Sequence, residues 1–466
     1  MTLADEIIYG TQDNVSRLIQ AGEEVNQMDE YGFTPLIETA IVNRIEIAKI
    51  LLAHGAQINK ADLTGRTPLH WAVDNANQAL CELFLENKAN SNAATLAGEP
   101  VMVNPLLRRQ NEIRNLLMEY GASLSFTQDF INTKLLGHRF ELQGEVDIVN
   151  EKGSFIEIEF SGFFLEFTLN IVFDSLERYQ NNFSGRQFRF YFDSIRRMMN
   201  AFQVASALIR YQQNTLEIQR YKKEIYALLE HQDLLLFPVC YAGHAITLIK
   251  YKDLLVKCDR GENSHREGSV NIYKMNKSVL MDNDFIMGLI YKRQTREFIH
   301  AGINRVLDLE PLGKIPIEPQ TTGNCSWANV DVSISAMLFL LFALDEEYEI
   351  EKAMDAATQF YCQWQAWDKD RALDECIQSF NYSNKARQMS KASVLTAILF
   401  QTCQAGFASD MARAGKIISV LSKPEYLPLL KVYVDTFTKD ASAPTGVHGK
   451  NLLKVLEYFD VDLRGL

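Results

Sequence analysis

Cys325 and the residues around it carry the clearest chemical signal in this sequence. The segment Gln320–Asn329 precedes a mostly apolar run, 330–344, which predicts a buried helix. Cys325 would then lie at or just before a helix N-terminus, where unpaired N–H groups and the helix dipole favour a thiolate. Gln320, five residues upstream, could donate its side-chain amide to an oxyanion. These residue types predict a cysteine nucleophile.

A second pair, His244 and Asp259, falls on a predicted β-hairpin. Apolar and polar alternation predicts strands over 244–251 and 254–258, with a turn at 252–253. If the strands pair directly across that turn, the histidine and the aspartate lie near the same end of the hairpin, two residues apart in register. A carboxylate in that place can orient an imidazole that acts as general base.

Several further elements are predicted to position these residues. Alternation through 140–167, with a turn at 150–153, predicts a hairpin, and a 3.6-residue period through 188–229 predicts helices. Additional strands are predicted at 234–241 and 270–273. Three prolines between positions 311 and 319 are expected to keep the approach to the cysteine extended.

The run Gly323-Asn324-Cys325-Ser326-Trp327, with Gln320 upstream, resembles the nucleophile segment of papain-like cysteine peptidases. The order His, Asp, Gln, Cys along the chain is similar to that of the ubiquitin-like-protein proteases and their bacterial effector relatives, some of which are acyltransferases. The resemblance implies that Cys325 is the nucleophile and Gln320 the oxyanion donor. It makes His244 the general base and Asp259 the carboxylate that orients it.

This sequence departs from that pattern in two places. The usual tryptophan after the histidine is Ala245, and 61 residues separate Asp259 from Gln320. Structural roles compete with catalysis at each position: a cysteine before an apolar helix is often a packed small hydrophobe. His244 could be a hydrogen-bonded strand-end histidine, and the aspartate could cap the turn that follows it.

Metal and cofactor chemistry finds little support in the sequence. Four side chains could be read as zinc ligands, namely Cys240, His244, Cys258 and His265. Their spacing lacks the CxxC or HxxxH pairs that are typical of structural zinc sites. No Walker A, HExxH or GxSxG motif occurs. The sequence predicts no cofactor and no metal.

The first 124 residues repeat with a period of 33. Thr34-Pro35-Leu36 recurs as Thr67-Pro68-Leu69, with threonine as helix N-cap and proline in the first helical turn. This pattern resembles the ankyrin repeat. One such repeat cannot bury its apolar face alone, so several must stack. The predicted repeats, of which the terminal two are degenerate, are 1–28, 29–61, 62–94 and 95–124.

The resemblance to ankyrin repeats implies a protein partner. Hairpin tips and concave helix faces are the usual contact surfaces of that family, and the predicted tip residues are Asp29, Glu30, Tyr31, Asp62, Leu63 and Thr64. Repeats joined to a cysteine-protease-like half also resemble the ankyrin effectors that intracellular bacteria inject into host cells. This implies a host partner and a place of action in the host cytosol or nucleus.

Bulk composition fits a globular protein. Of 466 residues, 47% are hydrophobic and 23% charged, and the formal net charge of −12 argues against a nucleic-acid surface. Seven cysteines without a CxxC pair predict reduced thiols. The N-terminus lacks a signal peptide's basic and apolar regions, and the apolar run 332–344 is too short to span a bilayer. Nothing here indicates an oligomeric state.

The C-terminal part is predicted to be helical, with a loop beginning at Pro444 before a last helix over 451–459. The fold class is therefore α+β: an all-α ankyrin solenoid, then a papain-like or ubiquitin-like-protease-like α+β domain with C-terminal helices. The predicted domains are 1–124, 125–345 and 346–466. The favoured function is a cysteine protease or isopeptidase effector, and the alternatives are a non-catalytic adaptor with a protease-like pocket or an acyltransferase of the same geometry.

Overall fold

The computed structural model describes residues 2–230, 232–261, 264–320, 323–437 and 444–463. The N-terminal part is a row of four antiparallel helix pairs at the predicted period, so the predicted solenoid is confirmed. Its helices are α1 Leu3–Tyr9, α2 Gln12–Gln20, α3 Pro35–Ile41, α4 Ile45–Ala53, α5 Pro68–Asp74, α6 Gln78–Glu86, α7 Val103–Leu107 and α8 Asn111–Glu119.

An asparagine ladder joins successive repeats. The Asn26 side-chain Oδ1 accepts from the Gln57 N–H at 2.7 Å, and its side-chain amide donates to the Gly55 carbonyl at 3.0 Å. Asn59 and Asn92 form the same two bonds to the repeats that follow them. Each ladder residue satisfies backbone groups of the next repeat, which fixes the stacking of the array.

The segment after the repeats folds as helix, hairpin and further helices. The 150–153 turn is confirmed, with Val149 opposite Phe155 across it. The prediction of strands as far as 167 is wrong, because a helix starts at Leu165 and buries side chains at helical spacing. The elements are α9 Leu124–Arg139, β1 Glu145–Val149, β2 Phe155–Glu159, α10 Leu165–Asn181, α11 Phe192–Arg210 and α12 Lys222–Leu229.

A five-stranded antiparallel sheet of order β3-β4-β5-β6-β7 follows. The strands predicted over 234–241, 244–251 and 254–258 are confirmed with the same bounds. The last strand was not predicted; it lies at the edge of the sheet, where a proline such as Pro311 is tolerated. The strands are β3 Leu234–Tyr241, β4 His244–Tyr251, β5 Leu254–Cys258, β6 Val270–Met275 and β7 Leu309–Ile315.

Helices complete the chain around and after this sheet. The last one begins at Pro444, so the loop predicted there is wrong; proline is tolerated in a first helical turn because its missing N–H has no partner to lose. The helices are α13 Ser264–Glu267, α14 Asn283–Tyr291, α15 Ile303–Leu307, α16 Cys325–Asp331, α17 Ser333–Leu344, α18 Ile350–Asn381, α19 Lys385–Thr402, α20 Ala408–Leu421, α21 Leu427–Phe437 and α22 Pro444–Tyr458.

Three hydrophobic clusters organise these elements. One fills the ankyrin array, and a second joins the five-stranded sheet to α10, α11, α16, α17 and the first half of α18. The third joins α9 and the β1–β2 hairpin to the second half of α18 and the helices after it. The clusters therefore cross the boundary predicted at residue 345, since residues 125–160 share a core with the C-terminal helices.

The stretch Cys325–Leu344, which spans α16 and α17, is long and apolar enough to cross a membrane by length and composition alone. Of the window that meets this test, 89% is buried inside the protein. It packs against β4, α10, α11 and α18 as the centre of the sheet cluster. An apolar helix pair in that place is explained by core packing.

Candidate functional site

Three elements converge to bring the predicted site residues together. His244 is the first residue of β4, and Asp259 directly follows β5. The β4–β5 register runs from Tyr251 opposite Leu254 outward along both strands, as predicted. Cys325 is the first residue of α16, which packs across β4. The catalytic-type side chains thus come from a strand start, a strand end and a helix start.

The three side chains form a continuous hydrogen-bonded series. The His244 Nε2 lies 2.9 Å from Asp259 Oδ1, and the same imidazole interacts with the Cys325 thiol, so that each group shifts the pKa of the other. The Ala245 N–H donates to the Cys325 Sγ at 3.4 Å. A sulfur, an imidazole and a carboxylate in this order are the parts that nucleophilic catalysis by a thiolate needs.

The electrostatics of the site favour an ion pair. Burial alone would lower the pKa of His244, but hydrogen bonds to Asp259 and Cys325 outweigh it and raise that pKa to about 9. Burial would raise the pKa of Cys325, yet hydrogen bonds from His244 and from the Ala245 N–H lower it below its usual range. The pair is therefore stabilised as thiolate and imidazolium.

The other six thiols differ from Cys325 in the direction in which their pKa values are shifted. Desolvation by the surrounding atoms and the neighbouring Cys325 raise the pKa of Cys240, which lies opposite Ala245 on the adjacent strand, to about 11. Desolvation raises the pKa values of the remaining five, namely Cys81, Cys258, Cys362, Cys376 and Cys403. Cys325 is the single cysteine whose surroundings favour the thiolate.

Asp259 is held by contacts that the sequence did not reveal. The Gly261 N–H donates to its Oδ1 at 2.9 Å, and His300 Nε2 lies 3.7 Å from its Oδ2. The Tyr241 hydroxyl contacts that same His300 nitrogen at 2.8 Å, and the Tyr241 ring packs edge-on against His244. His300 follows Asp259 by 41 positions and lies in no recognisable motif, so only the fold identifies it.

Asn329 is the second residue that the sequence analysis missed as a positioning group. It lies one turn after Cys325 on α16 and is buried. Its amide donates to the Ala245 carbonyl at 2.6 Å, and its side-chain oxygen accepts from the Arg260 N–H at 2.7 Å. One side chain therefore ties the helix that carries the nucleophile to the strand that carries His244 and to the residue after Asp259.

Gln320 is placed beside this arrangement by its backbone. Its N–H donates to the Arg260 carbonyl at 2.9 Å, which brings the loop before Cys325 next to the residue after Asp259. The Gln320 side-chain oxygen is buried without a hydrogen-bond partner in the described part of the chain. Residues 321–322 of the predicted nucleophile segment lie outside the described residues. An oxyanion role for Gln320 stays a prediction.

Gly261 is required by close packing at the histidine. A Cβ at this position would lie 2.7 Å from His244 Cε1 and 2.9 Å from Asp259 Oδ1. We expect Gly261→Ala to separate the imidazole from the carboxylate and to slow alkylation of Cys325 at about pH 6 by roughly tenfold, because an unoriented imidazole pairs less well with the thiol.

The matched control for this substitution is Gly288→Ala, since no atom lies within 4 Å of a Cβ there. Alkylation rates and circular dichroism of both variants would be compared with the parent protein. Unchanged alkylation in a folded Gly261→Ala variant would show that the glycine does not support the imidazole.

The predicted ankyrin tips divide into inward and outward side chains. Asp29 and Asp62 turn inward, and each accepts two backbone N–H groups of its own tip through Oδ1. Tyr31 and Leu63 point outward and are each 71% exposed. Glu30 and Thr64 are also exposed. The outward residues keep the predicted role of partner contacts.

The described residues contain no group of three or more histidine, cysteine, aspartate or glutamate side chains that could hold a metal ion. The four positions considered for zinc are accordingly dispersed: His244 faces Asp259, and Cys258 is fully buried in β5.

Comparisons with known proteins agree with this architecture. Residues 3–95 match the family of ankyrin repeats in three copies, a module that mediates protein–protein interaction. The chain is also similar to a solved structure described as the structure of the Legionella effector AnkH. The two are 42% identical with a TM-score of 0.85, and the match covers 100% of this chain and 98% of the other.

Proposed function

This chain belongs to the family of the Legionella effector AnkH, and on that premise we propose that it is an effector that acts inside a host cell as a cysteine peptidase or isopeptidase. Its ankyrin repeats would bind a host protein and hold it near the thiolate. The observation that carries the proposal is the hydrogen-bonded series Cys325–His244–Asp259, in which the cysteine pKa is lowered and the histidine pKa raised.

The geometry supports a two-step amide cleavage. The Cys325 thiolate forms a bond to the scissile carbonyl carbon, and the carbonyl oxygen takes the negative charge. The backbone N–H of Cys325 and the Gln320 amide are the donors proposed for that oxyanion. His244 then gives its proton to the departing amine, the C–N bond breaks, and a thioester remains. Water, activated by the neutral imidazole, hydrolyses the thioester and restores the thiol.

A proteome-wide cleavage experiment tests this function. Host-cell extract would be incubated with the protein or with Cys325→Ala, and new protein N-termini and released isopeptide-linked modifiers would be identified by mass spectrometry. We expect a set of new cleavage sites in the first sample and none in the second, because the variant lacks the nucleophile.

Two other outcomes would contradict the proposal and favour the alternatives. Mass increments on a partner that depend on Cys325, without cleavage, would indicate acyl transfer by the same thiolate. Equal capture of a partner by the protein and by Cys325→Ser, with neither cleavage nor increments, would indicate a non-catalytic adaptor.

A further inference from the structure

A cavity of about 470 Å³ opens between the first two ankyrin repeats. Among the described residues that line it, six carry carboxylate side chains and none is a lysine, arginine or histidine. Aromatic and aliphatic side chains, among them Met28, Tyr31 and Phe33, form the rest of the wall. A strongly acidic cavity with an apolar side has the charge and shape that suit a cationic group on an apolar stem.

The next repeat shows what this position normally contains. Asp29 and Asp62 are equivalent by the 33-residue period and cap their tips identically through Oδ1. In the later repeat, the Trp71 indole N–H donates to Asp62 Oδ2 at 3.1 Å. The residue equivalent to Trp71 is Glu38. The second carboxylate oxygen of Asp29 therefore faces the Glu38 carboxyl, where the equivalent oxygen of Asp62 accepts from the Trp71 indole N–H.

The cation of the later repeat is also missing. The Arg66 guanidinium lies 4.4 Å from the centre of the Trp71 ring and forms an ion pair with Asp74. The equivalent of Arg66 in the earlier repeat is Phe33. Glu38 in place of Trp71 and Phe33 in place of Arg66 each remove a hydrogen-bond donor from this position, and Glu38 also adds a carboxylate.

Glu38 itself points to a ligand. It is only 5% exposed, and among the described residues its side-chain hydrogen-bond partner is the Asp29 carboxyl, which can share a proton with Glu38 but supplies no donor once both groups are ionised. Burying an ionised carboxylate without a counter-charge destabilises the fold, so the ionised pair carries a cost to stability. A donor supplied from outside the chain would remove that cost.

We propose that the Asp29–Glu38 carboxylate pair binds a lysine or arginine side chain of a protein partner, with Phe33 and Tyr31 contacting its aliphatic stem. The proposal rests on the protein-binding part of the proposed function and is independent of Cys325. It adds a chemical requirement to the partner, namely a basic residue with apolar neighbours presented to the first two repeats.

Proton linkage supports this assignment. Burial, and then the neighbouring Asp29, raise the pKa of Glu38 to about 7, so a proton occupies the pair in acid. A bound cation would replace that proton. Binding should therefore tighten as the pH rises through about 7, and it should release a proton.

The test uses the full chain with ¹³C-labelled methionine methyl groups, because Met28 lines the cavity. The signal would be assigned with Met28→Leu. The probe is acetyl-Leu-Arg-Leu-amide, and the matched control is the same peptide with citrulline, which has the shape of arginine without its charge. We expect the arginine peptide to shift the Met28 signal in a saturable way, and the citrulline peptide to bind about tenfold more weakly or less, as the loss of a charged hydrogen bond predicts.

Two variants test the carboxylate directly. Glu38→Gln removes the charge, and Glu38→Trp copies the next repeat; both should weaken binding of the arginine peptide by about tenfold or more, whereas Glu86→Gln, at an exposed position of α6, should not. Glu38→Gln should also raise the melting temperature at about pH 8 and have a much smaller effect at about pH 5, because a carboxyl whose folded pKa is raised from 4.5 to about 7 loses stability progressively as the pH rises between those two values.

Three results would overturn the proposal. They are equal binding of the arginine and citrulline peptides, no saturable shift of the Met28 signal, and unchanged binding in Glu38→Gln. A lower melting temperature of Glu38→Gln at about pH 8 would assign Glu38 a purely structural role. Each result is separate from cleavage by Cys325, which the extract experiment measures alone.

Discussion

Replacing His244 with alanine is expected to slow alkylation of Cys325 at about pH 6 by on the order of 100-fold. A thiol paired with an imidazolium is largely ionised in mild acid, whereas an unpaired thiol with a pKa near 8.5 is almost entirely protonated. Cys325 is half-buried, so without His244 desolvation would raise its pKa further. The measurement is iodoacetamide labelling with peptide mapping across a pH series.

The pH profile of the parent protein makes this prediction sharper. Labelling of Cys325 should already be fast in mild acid and should change again as the pH rises through about 9, where His244 loses its proton. The other six cysteines should react only in alkali. His265→Ala removes an exposed histidine and is the matched control.

A profile in which Cys325 reacts no faster than Cys240 would contradict the ion pair. It would also leave the adaptor as the better explanation of the fold, because the hydrogen-bond geometry would then be present without the reactivity that attack on an amide requires.

The local part of this site could be predicted from the sequence. A two-residue turn fixes the register of a hairpin, so the positions of His244 and Asp259 followed from counting residues. The helix start at Cys325 followed from an extended approach and an apolar run. Each inference used residues that are close in sequence, where backbone geometry allows few alternatives.

The supporting contacts could not be predicted, because they join residues far apart in the chain. Asn329 links α16 to β4 and to Arg260 across more than 65 positions, and His300 reaches Asp259 from 41 positions later in the chain. The same holds for the core: α9 and the C-terminal helices share one hydrophobic cluster although the whole sheet lies between them in sequence. No periodicity within either segment identifies its partner.

The largest stability effect is expected for Asp368→Ala. Asp368 is 2% exposed and accepts from Arg139 at 2.5 Å, from Ser175 at 2.7 Å and from Arg371 at 2.7 Å. These residues come from α9, α10 and α18, so one carboxylate joins three helices. The variant should lose about 3–5 kcal/mol of unfolding free energy, because a buried guanidinium would be left without its counter-ion. Chemical denaturation followed by circular dichroism measures this loss.

Two controls separate the buried charge from other effects. Glu46→Ala breaks an exposed ion pair with Lys49 and should cost less than about 0.5 kcal/mol. Combining Asp368→Leu with Arg139→Met removes both charges and should recover part of the loss, since an apolar pair has no desolvation cost. If Asp368→Ala lowers the free energy of unfolding by less than about 1 kcal/mol, the contacts of Asp368 with Arg139, Ser175 and Arg371 are not what holds the three helices together.

The same variant should also affect the candidate site while the protein is still folded. The Arg139 guanidinium, which Asp368 anchors, lies 5.1 Å from the centre of the Trp327 ring, and Trp327 is two residues after Cys325 on α16. Burial would raise the pKa of a carboxyl at position 368, but the two arginines hold it below its usual range, so this anchor is present at neutral pH and weakens in acid. If Cys325 alkylation in folded Asp368→Ala falls towards that of His244→Ala, then the core shared by α9 and α18 positions the nucleophile as well as the fold.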